Sequence, residues 1–67
     1  MEQAKVKEIA LDMIFKFYNK SDNAIQSAAD EVSNTIKDIK KTKGPAWEER
    51  VKNMELIKAE ILNNGTK

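Results

Sequence analysis

The chain contains no cysteine and no histidine. That excludes disulfide stapling and the two commonest ligands of structural zinc, and it leaves no Cys–His or Ser–His pair for nucleophilic catalysis. Glycine is scarce as well: Gly44 and Gly65 are the only two, so no glycine-rich loop can cradle a phosphate. Long apolar runs are missing, since Met13-Ile14-Phe15 is far shorter than the ~20 residues that span a bilayer or the ~7–15 of a signal-peptide core. An excess of one charge is missing too. Twelve basic residues face 11 acidic ones, and the net charge of +1 sets up no global field toward nucleic acid or an anionic membrane.

What remains is a chain of 67 residues, 40% hydrophobic and 34% charged, which is enough apolar content for one core and too little length for two. A single helical domain over 1–67 is expected. Below about 70–80 residues a core rarely supplies more than about 3–5 kcal/mol, so with metal and disulfide excluded the remaining staples are tight helix packing or oligomerisation. Carboxylates, lysines and Tyr18 are the residual catalytic candidates, and so short a chain has little room for a pocket that would desolvate them. A non-enzyme is expected, with no cofactor, no metal and no small-molecule substrate. The composition suits a cytoplasmic protein. Eleven lysines against one arginine, with six asparagines, suggest A-rich codons and hence a bacterial, phage or plasmid source.

Three segments have helical periodicity. Val6, Ile9, Ala10, Met13, Ile14 and Phe17 recur at three and four residues and predict a first helix over about 2–18. Asn19-Lys20-Ser21-Asp22-Asn23 ends it, and Ser21, Asp22 or Asn23 can cap the next, with Gln26 completing a loose capping box. Ile25, Ala29, Val32, Ile36 and Ile39, widened by Ala24 and Ala28, predict a second helix over about 23–41. Thr42-Lys43-Gly44-Pro45 is the clearest punctuation, because glycine ends helices and proline suits a first helical turn. A third helix is expected over about 45–63, with a frayed tail at 64–67; its stripe is Trp47, Val51, Met54, Ile57 and Ile61, extended by Leu62. Arg50 and Lys58 fall on that stripe and must extend their heads to water. Trp47 is expected to seal the bundle end near Gly44. Matched helices and short connections predict an all-α, up-down-up three-helix bundle that can pair into a homodimer. A helical hairpin pairing into a dimeric bundle is the alternative architecture.

The first helix carries more apolar surface than a bundle needs. At about 100° per residue its apolar positions sweep about 240°, whereas two neighbours cover little more than about 100–140°. The surplus edge is Leu11, Phe15 and Tyr18. A bundle that packs both flanks of this helix would hide that edge inside the monomer; otherwise the expected function is protein–protein interaction or regulation through it, with another copy or another protein as partner. The competing class is a small DNA-binding regulator using Lys37, Lys40, Lys41 and Lys43, although lysine at a helix end is also what the helix dipole favours. A helix-turn-helix is disfavoured by the acidic start of the third helix, Glu48 and Glu49, which would meet phosphates with like charge.

Overall fold

The protein is described by a computed structural model covering residues 2–18 and 23–65. Three α-helices follow one another: α1 (Gln3–Phe17), α2 (Ala24–Thr42) and α3 (Trp47–Gly65). No strand occurs among the described residues. Helices of 19 residues span about 28 Å at ~1.5 Å per residue, yet the molecule is 34 Å in its longest dimension. The helices therefore lie side by side and the chain reverses between them, giving the three-helix bundle. Each helix packs on both others, most extensively α2 on α3.

The periodic stripes converge as the period requires. Val6 and Ala10 of α1, Ala28, Ala29 and Val32 of α2, and Ile57 and Ile61 of α3 form one buried cluster. Ile9, Met13, Ile14, Phe17, Ile25, Ile36 and Met54 pack around it, partly buried. Ile39 and Val51 are buried beside the α2–α3 connection. Among the described residues no polar or charged side chain is buried as a whole, although Glu31, half-buried on α2, has its Oε2 enclosed without a hydrogen-bond partner.

Of the three proposed caps for α2, Asn23 serves: its Oδ1 accepts from the Gln26 backbone N–H at 3.0 Å. Ser21 and Asp22 lie outside the described residues. The Gln26 side chain turns forward instead of back, its Nε2 donating to Asp30 Oδ1 at 2.9 Å. One ion pair ties α1 to α2, Lys16 Nζ to Glu31 Oε1 at 3.1 Å. Both groups are substantially exposed, so it contributes less than about 1 kcal/mol.

The α2–α3 connection departs from the expected chemistry. The residue that ends α2 in the left-handed region is Lys43 (φ 46°), whose N–H bonds to the Ile39 carbonyl at 2.8 Å; Gly44 has no positive φ. Proline explains the displacement. The residue before a proline is pushed toward extended backbone, so Gly44 cannot supply the left-handed turn and it falls one position earlier. Pro45 is not the first residue of α3 either. It occupies the second position of a turn closed by the Trp47 N–H on the Gly44 carbonyl at 3.2 Å, with Ala46 third at φ 56°. That is the type II pattern, which favours glycine at its third position. Ala46 also accepts the first helical bond of α3, from Arg50 N–H at 3.1 Å, and is thus its N-cap.

Two non-glycine residues at positive φ make this connection a place where stability can be gained. A left-handed conformation costs a β-carbon-bearing residue about 1–2 kcal/mol, and glycine is preferred to alanine at an N-cap. Allowing for the extra entropy of glycine in the unfolded chain, Ala46→Gly is expected to stabilise by about 1 kcal/mol, raising Tm by about 4–8 °C. Lys43→Gly gains less, because the Lys43 ammonium lies 5.7 Å from the Trp47 ring centroid and that attraction is lost. Thermal melts followed by circular dichroism test both; a fall in Tm for Ala46→Gly would contradict the turn geometry.

Candidate interaction surface on the first helix

α1 buries only part of its apolar sweep. Val6 and Ala10 are enclosed, whereas Leu11 is 54%, Phe15 78% and Tyr18 68% exposed. The reason lies in the angular arithmetic. α2 and α3 cover the face carrying Val6, Ile9, Ala10, Met13 and Phe17, and no third neighbour reaches the residues turned by a further third of the helix. The three exposed side chains are also adjacent, as residues three and four apart on a helix must be. Phe15 and Tyr18 stack with ring centroids 6.0 Å apart and planes inclined by 21°. A stacked pair held this way is partly pre-ordered, which lowers the entropy cost of using it as an anchor.

The other exposed large apolar residues, Leu56 and Leu62, are both on α3 and belong to different surfaces. Leu56 is isolated, as its place off the α3 stripe implies. Leu62 departs from expectation: instead of extending the core stripe it is 41% exposed and lines a groove between α2 and α3. Trp47 is only half-buried and does not join the central cluster; it sits at the connection under Lys43. Arg50 has its side chain in water and Lys58 is half-buried, so the stem of Lys58 lies against the protein and its head reaches out.

The four lysines of the competing reading, all exposed, lie in the last turns of α2 and at its C-cap, and two of them also line a groove. Lys37 and Lys40 line the α2–α3 groove together with Lys58. Lys41 does not line it, and Lys43 is directed to Trp47. Lys58 is the residue that reading of the sequence left out, because it comes from the other wall of the groove. Among the described residues, no helix is long and apolar enough to cross a membrane. Comparison with protein-family models, curated proteins and solved structures finds no match to this chain.

Proposed function

We propose that the protein is a non-enzymatic interaction module that acts by stoichiometric binding through the Leu11/Phe15/Tyr18 edge of α1. The observation that carries this reading is the concentration of three large, adjacent, strongly exposed apolar side chains on one helix face, two of them stacked aromatics. Aromatic anchors surrounded by polar residues are where interface energy concentrates. Lys7 and Glu8, both exposed, flank the edge on the helical wheel and supply a charged rim. Self-association into a homodimer is the form this reading takes first, since it would also supply the staple that so short a chain otherwise lacks.

Charge substitution on this edge separates binding from folding. Phe15→Glu and Leu11→Glu replace residues that the folded monomer leaves in water, so the melting temperature of the monomer should change by no more than a few degrees. Binding should fall by at least about 30-fold, as expected for losing an anchor worth about 2–4 kcal/mol. Sedimentation velocity over a range of concentrations, with pull-downs on immobilised wild type and variants, measures both. A wild type that stays monomeric at all concentrations and captures the same partners as Phe15→Glu would sink the proposal.

A further inference from the structure

The groove on the outer side of α2 and α3 is a second surface, built from residues that the α1 reading does not use. Ser33, Ile36, Lys37 and Lys40 form one wall and Glu55, Lys58, Ala59 and Leu62 the other, around a volume of about 480 Å³. Each wall has the spacing i, i+3, i+4, i+7, so each is one complete helical stripe two turns long, about 10 Å. α2 and α3 have therefore each a second inward-capable stripe beside the one that faces α1. Ile36, Ala59 and Leu62 make the apolar floor, and the small Ser33 and Ala59 leave room for close approach of another backbone.

The rim carries a net positive charge. Three lysines, Lys37, Lys40 and Lys58, face one glutamate, Glu55, and the ion pair recorded within 4 Å among the described residues is elsewhere, between Lys16 and Glu31. We infer that this groove seats an acidic amphipathic α-helix of a partner protein, which would complete a local four-helix arrangement. Helical walls accept a helix by interdigitating ridges, which a flat ligand or an extended strand cannot do. An apolar floor requires apolar residues at i, i+3 or i+4, and i+7 of the partner; the lysine rim requires Asp or Glu beside them. Nucleic acid fits less well, because the apolar floor offers nothing to a phosphate. The inference is independent of the α1 edge, whose residues do not line the groove.

The probe is a fluorescein-labelled synthetic helix of about 18 residues, long enough to be helical, with Leu and Ala on one face and Glu on its flanks. Its partner probe carries Lys in place of every Glu, and a labelled DNA duplex is the third. Anisotropy titrations should give saturable binding of the Glu helix that weakens as salt rises, and binding of the Lys helix at least about tenfold weaker. Lys37→Glu combined with Lys58→Glu should reverse that preference, a gain that unfolding cannot produce. Leu62→Ser should weaken either helix, while Phe15→Glu should weaken neither. The inference is overturned if the Glu helix does not saturate by about 1 mM, if the double charge reversal leaves the preference unchanged, or if the duplex outcompetes the Glu helix.

Discussion

Ile57→Ala is expected to abolish cooperative folding near room temperature. Ile57 is 2% exposed and, with Ile61 and Val32, is among the largest side chains the protein fully encloses. Truncating a buried isoleucine to alanine costs about 2–5 kcal/mol, from lost transfer energy and from the cavity that remains. A core of this size supplies only about 3–5 kcal/mol in all, so the loss is comparable with the whole stability. Refilling the cavity would require neighbours to move, and Ala28 and Ala29 in the same cluster have no side-chain freedom with which to do so. Urea titration and thermal melts should show a broad, low-amplitude transition in place of a sigmoid. Leu56→Ala is the control: one residue earlier in α3 but 45% exposed, it should cost less than about 1 kcal/mol. Equal losses for the two would contradict the rotational setting of α3.

The second large effect is in the opposite direction of size. Ala28→Leu is expected to destabilise by about 1–3 kcal/mol or more, even though leucine is nearly as good a helix former as alanine. Ala28 is 0% exposed, and Ala10, in the same cluster on α1, is likewise 0% exposed. Small side chains at such positions let helix axes come close, and a leucine there forces the helices apart or its own side chain off-rotamer. Propensity thus predicts almost no change and packing a clear loss, and packing decides by its magnitude. Ala4→Leu provides the comparison, since Ala4 is exposed at the start of α1 and the same exchange there should be close to neutral. An unchanged Tm for Ala28→Leu would show that α1 is not fixed against α2 at this level.

Much of this fold is legible in the order of residues because it follows from local periodicity. Stripes at three and four residues define where α1, α2 and α3 run to within two residues of their ends, and the angular excess on α1 singles out Leu11, Phe15 and Tyr18 before any packing is known. The Asn23 cap was one of three adjacent candidates, and only the hydrogen bond to Gln26 N–H selects it. At Lys43 and Ala46 the relevant signal was present in the proline but masked by the more familiar role of glycine: Pro45 forbids Gly44 the conformation that glycine is usually there to supply.

The surplus on α1 was therefore set by the sequence itself, as an apolar sweep of about 240°, about twice what two neighbours cover, but whether the bundle would hide its edge was not. That Phe15 and Tyr18 stack, and that the edge stays exposed to the degree seen, needed α2 and α3 to be in place. The groove was decided by tertiary structure alone. Lys37 and Lys58 lie on different helices, and Leu62 reads as core on its own helical wheel; only the docking of α2 against α3 turns these residues toward one another and outward. Periodicity is a property of one helix, whereas a groove is a property of two, and the rotation of each helix about its axis is fixed by packing that no single stripe contains.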